Sequence, residues 1–303
     1  MFILVGFLYL FLLSSRNQNW EAVMSQKVVF LDVDGTIVTY ENVIPVSAIE
    51  AIRQARLNGH LVYMNTGRSR AEIPEAIWEI GFDGLIGGNG SYVESKNEVI
   101  MHQVISEQDS KAIVDWLNSR RLAFYVETNA GLFASRNFKT RSQSTFYEYA
   151  KGKGMPESEA KALDAENALH GIIFDGNLYR NDVNKVSFIL ESYDDFLEAR
   201  QVFPHLKVGT WGGVGEKALF GDIGVSGIDK KKAVKKLVDA LDISLEQTIA
   251  FGDAKIDIPM LEVSKIGVAM GNGGPEIKAM ADYITDDVAE DGLKNAFSHF
   301  GLI

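Results

Sequence analysis

Residues 28–36, Val-Val-Phe-Leu-Asp-Val-Asp-Gly-Thr, decide how the rest of the chain is interpreted. The first four form a continuous apolar run, which is typical of a strand buried on both faces of a parallel sheet. Two carboxylates, Asp32 and Asp34, follow where that strand ends. Ligands of open α/β sheets bind beyond the carboxyl ends of the strands. The stretch therefore predicts an α/β fold with an acidic ligand site at the sheet edge.

The spacing of the two carboxylates predicts a metal ion between them. Asp32 and Asp34 are two residues apart, so on an extended chain their side chains point to the same side. Two like charges held this close cost free energy unless a cation or a proton compensates. Mg²⁺ suits the position because it is a hard ion that accepts a few carboxylate oxygens and keeps several waters. The alternative is a turn with two solvated aspartates, and the buried strand before them argues against it.

Strands and helices alternate before residue 90 and again after residue 216. The order predicts a Rossmann-like doubly wound parallel sheet formed by residues 24–90 and 216–303. Between these parts, paired strands are followed by a mixture of helices and strands, which predicts an inserted α+β cap domain over residues 91–215. Within the core, the pattern predicts one helix from about Arg70 to Ile80.

A second acidic pair follows another buried strand, in Gly252-Asp253-Ala254-Lys255-Ile256-Asp257. Asp253 would lie at the same sheet edge as Asp32 and complete an oxygen-rich metal site. Asp257 precedes an apolar stretch, so capping of a helix and support of the metal are both open for it.

Two further segments carry groups that bind phosphate. Asn65-Thr66-Gly67-Arg68 places a hydroxyl and backbone N–H groups ahead of a predicted helix, which would form an anion cradle, with a plain capped turn as the alternative. Lys230 opens a helix with Lys231 and Lys232 beside it. Cations in the first turn oppose the helix dipole, and this misfit indicates a functional purpose for one of them. Lys230 is the candidate that pairs with phosphate.

Taken together and in this order, four motifs resemble motifs I to IV of the haloacid dehalogenase-like hydrolases: DVDGT, NTGR, GIDK and GDAKID. The tail from Gly267 to Asn272, followed by Ala281 to Thr285, resembles the Cof-type subfamily, whose cap lies between motifs II and III. The resemblance covers nearly everything from Met24 to the C-terminus. Each motif alone is weak, and the ordered set is highly specific.

This resemblance implies roles for the candidate residues. Asp32 would attack phosphorus, and Asp34 would protonate the leaving oxygen and later activate water. Mg²⁺ would be held by Asp32, the backbone carbonyl of Asp34 and Asp253. The phosphoryl oxygens would be bound by Thr66, Gly67, Lys230 and the backbone N–H of Val33.

Several residues around the expected site carry less definite expectations. Arg68 and Asn89 are candidates for the substrate mouth, with helix surface and turn formation as equal alternatives. Arg136, Lys139 and Arg141 form a basic cluster in the cap that would either meet an acidic leaving group or lie on a solvated surface. Ile256 departs from the Cof-type pattern, which usually has asparagine there, and it predicts a weaker or differently tuned phosphatase.

Composition excludes several other functions. The chain has 30 basic and 41 acidic residues, a net charge of −11, which argues against sequence-independent nucleic-acid binding. It contains no cysteine, so disulfides, thiolate zinc sites and cysteine catalysis are excluded, and a reducing cytoplasm fits. The expected partner is a small phosphorylated metabolite, the expected assembly a monomer or small homo-oligomer, and membrane association is not expected.

The first 23 residues are the exception to this globular pattern. Phe2 to Leu13 is apolar throughout, shorter than a membrane span and without a basic residue before it. Three interpretations stay open: a weak anchor or signal segment, a packed segment, and residues outside the native protein if translation begins at Met24.

The expected function is a Mg²⁺-dependent phosphomonoesterase acting on sugar phosphates, nucleotides or phosphorylated cofactors. A phosphotransferase or mutase would use the same core chemistry and differ in its acceptor. A non-catalytic sensor of a phosphorylated metabolite is the second alternative, and Ile256 is its only support.

Overall fold

The computed structural model describes residues 26–303, so the apolar segment 1–23 lies outside the described residues. Strands in the described part of the chain are β1 Val28–Leu31, β2 Leu61–Asn65, β3 Gly84–Gly87, β4 Tyr92–Ser95, β5 Glu98–His102, β6 Phe124–Thr128, β7 Gly131–Ala134, β8 Ile172–Ile173, β9 Val183–Ile189, β10 Lys207–Trp211, β11 Phe220–Gly224, β12 Thr248–Gly252, β13 Ile266–Ala269 and β14 Tyr283–Ile284. The α-helices are α1 Val46–Leu57, α2 Glu75–Trp78, α3 Glu107–Ser119, α4 Phe138–Arg141, α5 Gln143–Gly152, α6 Glu157–Ala162, α7 Ala165–Ala168, α8 Tyr193–Val202, α9 Lys230–Ala240, α10 Ile258–Val263, α11 Pro275–Met280 and α12 Gly292–His299.

The larger sheet has the order β14-β13-β12-β1-β2-β3-β4-β5. Strand β1 lies between β12 and β2 and is parallel to both. The chain first extends the sheet from β1 through β2 and β3, and later extends it on the other side through β12, β13 and β14. The order therefore reverses at β1, and ligands of doubly wound sheets bind at such a switch point.

Helices cover both faces of this sheet, as the doubly wound prediction requires. On one face, α1 and α12 pack against the strands with small and apolar side chains such as Ala51, Ile52 and Phe297. On the other face, α9 and α10 do the same through Val234, Leu237 and Met260. Since β1 has an apolar side chain at every position, it contributes to both cores. The predicted α/β core is confirmed.

The smaller sheet has the order β10-β11-β9-β6-β7-β8 and forms the inserted α+β part. Helices α3 and α8 pack on one of its faces. The short helices between residues 138 and 168 cover only one end of the other face. The rest of that face carries polar side chains such as Lys185 and Asp222, which line a cavity together with Asn89 and Ser91 of the core.

Sheet membership divides the chain at positions that differ from the predicted boundaries of 91 and 215. Strands β4 and β5 belong to the larger sheet, because the chain turns through Gly88–Gly90 and β4 pairs antiparallel to β3. Strand β11 belongs to the smaller sheet, between β10 and β9. By this criterion the insert runs from after His102 to about Gly224. The predicted boundary at 91 falls where the larger sheet changes from parallel to antiparallel pairing, because in the sequence this change looks like the start of a new domain.

The predicted helix from Arg70 to Ile80 is wrong as a single element. The chain instead forms a 3₁₀ turn over Arg70–Glu72 and a four-residue helix, α2. Pro74 separates the two because it lacks a backbone N–H and disfavours helical geometry at the residue before it. In residues 26–303, no helix is both long enough and apolar enough to cross a bilayer.

Candidate active site

The turn that follows β1 places Asp32 at the switch point of the larger sheet. Its backbone N–H donates to the carbonyl of Phe251 at 3.0 Å, which extends the pairing of β1 with β12 by one residue. Three residues later, Gly35 has a φ of 86°. A Cβ atom at this position would lie 2.5 Å from Oδ2 of Asp253. Glycine therefore allows the turn to pass directly beside the second acidic loop.

Lys230 is the buried cation of the site, with a relative exposure of 1%. Its Nζ donates to Oδ1 of Asp32 at 2.7 Å, to Oδ1 of Asp257 at 2.5 Å and to the carbonyl of Asn65 at 2.6 Å. Burial alone would lower the pKa of the ammonium, but the adjacent charges of Asp257 and Asp32 raise it, so Lys230 stays charged. The predicted cation is thus the link between motifs I, II and IV.

Three buried carboxylates form one acidic cluster around this lysine. Asp32, Asp253 and Asp257 each offer an oxygen, and the three oxygens lie within 4.8 Å of one another. Among residues 26–303, Oδ1 of Asp253 is buried and has no hydrogen-bond partner. Three carboxylates against one ammonium leave two negative charges when all are ionised. The oxygen-only ligand set and this deficit both fit a Mg²⁺ ion.

Crowding of the carboxylates shifts their protonation. Burial raises the pKa of Asp32 well above its usual range, with the neighbouring charge of Asp257 adding to the effect and Lys230 opposing it. Burial likewise raises the pKa of Asp253 to about 6. Both shifts indicate that the protein's own cation compensates the cluster incompletely.

Asp257 has both of its oxygens engaged by the protein. Oδ1 accepts from Lys230, and Oδ2 accepts from the backbone N–H groups of Asp253 and Ala254 at 3.3 and 3.0 Å. The cap expected of Asp257 at the start of α10 is absent, because its side chain makes no capping hydrogen bond to that helix and instead accepts from the backbone at the start of the preceding 3₁₀ turn, Lys255–Asp257. Because it also lies in the acidic cluster, it positions Lys230 and the loop that carries Asp253.

Donors for a phosphoryl group line the same turn. Thr66 is 1% exposed, and its Oγ1 accepts from the backbone N–H of Arg68 at 3.2 Å, which leaves the hydroxyl proton free to donate. Within the described residues, the backbone N–H groups of Val33 and Gly67 have no acceptor. Unpaired N–H groups at a buried turn are a ready anion site.

Asp34 lies apart from the acidic cluster. Its two carboxylate oxygens accept from the guanidinium of Arg68, at 2.9 Å from Nε and 2.6 Å from the terminal nitrogen. The side chain of Asp34 is 48% exposed, so it faces the opening of the site. This arrangement leaves only the backbone carbonyl of Asp34 for a metal. Arg68 lies beside Asp34 at this opening, and its role at the substrate mouth stays a prediction.

The other mouth candidate, Asn89, forms the turn between β3 and β4 with a φ of 56°. Its Oδ1 would be 3.0 Å from a Cβ atom at Gly67, so it lies against the phosphate cradle. All three residues of the basic cluster in the cap lie at exposed positions, which fits the solvated-surface alternative. Lys139 pairs with Glu166 at 2.5 Å and Arg141 with Glu191 at 2.8 Å, both at exposed positions.

Several contacts of the site had no signal in the sequence. The hydroxyl of Tyr40 donates to Oδ2 of Asp253, and Nζ of Lys153, from the cap, lies 4.1 Å from the centre of the Tyr40 ring. Asn272 donates to the carbonyl of Gly35 at 2.8 Å and holds the first turn in place. Tyr40 and Lys153 belong to no motif that the sequence analysis singled out, whereas Asn272 ends the Gly267–Asn272 tail, whose resemblance to the Cof-type subfamily did not indicate this contact. Their positions depend on tertiary structure.

Removing the buried ammonium should destabilise the protein strongly. We expect Lys230→Met to lower the free energy of unfolding by about 3–5 kcal/mol in chelator, because it leaves Asp32 and Asp257 buried without their cation. Lys231→Met, one residue along the same helix at an exposed ion pair, is the matched control and should change it by less than about 0.5 kcal/mol. Urea unfolding measures both values. Equal losses in the two variants would contradict this account of Lys230.

Known proteins resemble this chain over nearly its whole length. A family model described as haloacid dehalogenase-like hydrolase matches residues 29–297. The pyridoxal phosphate phosphatase YbhA of Escherichia coli (strain K12) is 27% identical over 287 residues, covering 91% of this chain and 99% of the relative. The 5-amino-6-(5-phospho-D-ribitylamino)uracil phosphatase YcsE of Bacillus subtilis (strain 168) is 26% identical over 280 residues, covering 91% and 96%. A solved subclass IIB sugar phosphatase matches with a TM-score of 0.71 and 27% identity, covering 92% of this chain and 100% of that one.

Proposed function

The chain belongs to the haloacid dehalogenase-like hydrolases, and on that premise we propose that it is a Mg²⁺-dependent phosphatase that hydrolyses small phosphorylated metabolites through a phosphoaspartate on Asp32. The observation that carries the proposal is the surroundings of Asp32. Its carboxylate lies between the ammonium of Lys230, the acidic cluster and the unpaired N–H groups of Val33 and Gly67.

In the first half of the reaction, a carboxylate oxygen of Asp32 forms a bond to phosphorus and the bond from phosphorus to the leaving oxygen breaks. Asp34, at the open side of the site, is placed to give that leaving oxygen a proton. Lys230, the Thr66 hydroxyl and the two unpaired N–H groups stabilise the charge on the phosphoryl oxygens. Arg68 orients the Asp34 carboxylate through its two hydrogen bonds.

In the second half, Asp34 takes a proton from a water molecule whose oxygen attacks phosphorus. The bond from phosphorus to Asp32 breaks, inorganic phosphate leaves, and the Asp32 carboxylate is regenerated. Asp32, Asp253 and the backbone carbonyl of Asp34 would hold Mg²⁺, with Asp257 positioning Lys230. Bound Mg²⁺ supplies a Lewis acid that offsets phosphoryl charge.

The named relatives support a small phosphorylated metabolite as the substrate, since one acts on pyridoxal phosphate and another on a phosphorylated ribitylaminouracil. The net charge of −11 supports a partner other than nucleic acid. We place the enzyme in the cytoplasm, because a chain without cysteine suits a reducing compartment in which disulfides do not form.

Release of inorganic phosphate from p-nitrophenyl phosphate, with and without Mg²⁺, tests the proposal. We expect Mg²⁺-dependent, multiple-turnover release without any added acceptor. Phosphate transfer that requires an alcohol or sugar acceptor would instead identify a phosphotransferase or mutase. Tight binding of phosphorylated metabolites with no release from any ester would identify a sensor and contradict the proposal.

Restoring asparagine at position 256 should improve phosphate binding. Ile256 is 49% exposed and cannot donate a hydrogen bond. A hydrogen bond to a charged group contributes about 1.5–3 kcal/mol, so Ile256→Asn should raise turnover or phosphate affinity about tenfold or more. Steady-state kinetics and inhibition by inorganic phosphate measure the two effects, and Ile256→Leu is the control without a donor. If neither quantity changes, another group already serves that function.

A further inference from the structure

A turn after the first motif brings Tyr40 into contact with the acidic cluster. The backbone N–H of Thr39 donates to the carbonyl of Val43 at 2.8 Å, which closes this turn. Tyr40 lies within it, and its hydroxyl donates to Oδ2 of Asp253. The contact joins the segment that follows β1 to the loop that follows β12. No step of the proposed reaction uses this hydroxyl.

Asp253 is 2% exposed, and its two carboxylate oxygens have different surroundings. Oδ2 accepts from Tyr40, whereas Oδ1 is buried and has no hydrogen-bond partner among residues 26–303. The backbone also approaches this carboxylate, since a Cβ atom at Gly35 would lie 2.5 Å from Oδ2 and 3.0 Å from Oδ1. Tyr40 and the turn at Gly35 thus restrict the rotation of the carboxylate, and Oδ1 is the oxygen left for a metal ion.

Tyr40 has the chemistry of a group that orients a metal ligand. A tyrosine hydroxyl keeps its proton at neutral pH, so it donates to an ionised carboxylate. Carboxylates that bind metal are commonly held by such donors, and loss of the donor typically weakens metal binding about 10- to 100-fold. Tyr40 is 37% exposed, so packing in the core does not fix its ring. The position of the ring therefore depends on a contact made at the surface.

Lys153 of the cap supplies a contact to that ring. It follows the last residue of α5, and its backbone N–H donates to the carbonyls of Tyr149 and Ala150 at 3.1 Å. Its Nζ lies 4.1 Å from the centre of the Tyr40 ring and 5.9 Å from that of Tyr149, within the range of cation–π attraction. Lys153 forms no ion pair with any residue in the range 26–303, so no carboxylate competes for its ammonium.

We propose that Tyr40 is a positioning residue for the metal site, with its hydroxyl holding Asp253 so that Oδ1 faces the ion. Lys153 keeps the Tyr40 ring in place, so a residue of the cap contributes to the affinity for Mg²⁺ without being a ligand. This inference rests on the Mg²⁺-dependent function proposed above. It adds two residues, outside the four motifs, that set how tightly the ion binds.

The first test is a Mg²⁺ titration of the full chain without substrate, measured by calorimetry. We expect Tyr40→Phe, which removes only the hydroxyl, to raise the Kd for Mg²⁺ about tenfold or more. Tyr147→Phe, at a tyrosine of α5 whose hydroxyl donates to Glu157 at 2.9 Å, is the matched control and should leave the Kd unchanged. An unchanged Kd in Tyr40→Phe would overturn the inference. Wild-type protein that binds no Mg²⁺ would instead refute the metal site of the proposed function.

Steady-state kinetics separate this role from a merely structural one. We expect Tyr40→Phe to need about tenfold more Mg²⁺ for half-maximal release of phosphate from p-nitrophenyl phosphate. At saturating Mg²⁺ its kcat should approach the wild-type value, because the hydroxyl takes no part in the chemical steps. An unchanged Mg²⁺ requirement together with a lower kcat would assign Tyr40 a different role and overturn the inference.

A double-mutant cycle tests whether Lys153 acts through Tyr40. We expect Lys153→Met to raise the Kd for Mg²⁺ about threefold in the wild-type background and to lose this effect in Tyr40→Phe. Loss of a nearby cation would by itself tighten Mg²⁺ binding, so weaker binding identifies the positioning role. Lys151→Met, at an ion pair with Glu157 near the end of α5, is the matched control and should leave the Kd unchanged. Tighter binding, or the same change in both backgrounds, would overturn the role of Lys153.

Discussion

Asp32→Asn should lower the rate of phosphate release at least about 10⁴-fold while the protein stays folded. The amide has the shape of the carboxylate but lacks the charge needed to attack phosphorus. The fold should survive because Lys230 keeps its bonds to Asp257 and to the carbonyl of Asn65. Burial and the charge of Asp257 already disfavour an ionised Asp32. Removing the Asp32 charge therefore reduces the repulsion among the carboxylates of the metal-free protein.

The measurement is the steady-state rate for p-nitrophenyl phosphate, together with thermal unfolding to confirm the fold. Asp239→Asn, at an exposed position of α9, is the matched control and should keep the wild-type rate. A folded Asp32→Asn protein that retains more than about one hundredth of the activity would show that Asp32 is not the nucleophile.

Removal of divalent metal should lower turnover about a thousandfold, and added Mg²⁺ should restore it. The acidic cluster supplies the physical reason, since the single ammonium of Lys230 faces three carboxylates and Oδ1 of Asp253 has no partner in the described chain. Binding of Mg²⁺ to the native state should also raise the midpoint of thermal unfolding, because a ligand that binds only the folded protein stabilises it.

Activity after dialysis against a chelator, followed by a Mg²⁺ titration, measures the first effect. Unfolding midpoints with and without Mg²⁺ measure the second without depending on turnover. Asp253→Asn should lose most of the Mg²⁺-dependent stabilisation. Full activity in the chelator, or the same stabilisation in Asp253→Asn, would contradict the assignment of the metal site.

Local sequence was sufficient to place the core of the site. The apolar runs of β1 and β12 identify buried strands. Asp32 directly follows β1, and Asp253 directly follows β12. Parallel strands end at one edge of their sheet, so the two acidic loops meet although about 220 residues separate them. The contacts of Lys230 with Asp32 and Asp257 follow from the same topology, although the sequence had predicted only that this lysine pairs with phosphate.

Other features depend on contacts that no local pattern encodes. The sequence predicts β4 and β5 only as paired strands, and it is the pairing of β4 with β3 that assigns both to the core. The ammonium of Lys153, in the cap, packs on the ring of Tyr40, in the core. Strand β11 lies between β9 and β10, a strand order that composition does not specify.

Contacts between the cap and the core connect residues that are distant in sequence to the candidate active site. Lys153 from the cap packs on Tyr40, whose hydroxyl holds Asp253 in the acidic cluster. Asn184 on β9 donates to Oγ of Ser69, next to Arg68 of the second motif, at 3.0 Å. Both contacts connect the cap to the loops that carry Asp253 and Arg68.

Chemical trapping of the intermediate tests the central claim most directly. Sodium borohydride reduces an aspartyl phosphate to homoserine, so enzyme quenched with it during turnover of p-nitrophenyl phosphate in Mg²⁺ should carry homoserine at position 32, identified by peptide mass spectrometry. Continued turnover with residue 32 unmodified and homoserine at another aspartate would contradict the claim that Asp32 is the nucleophile.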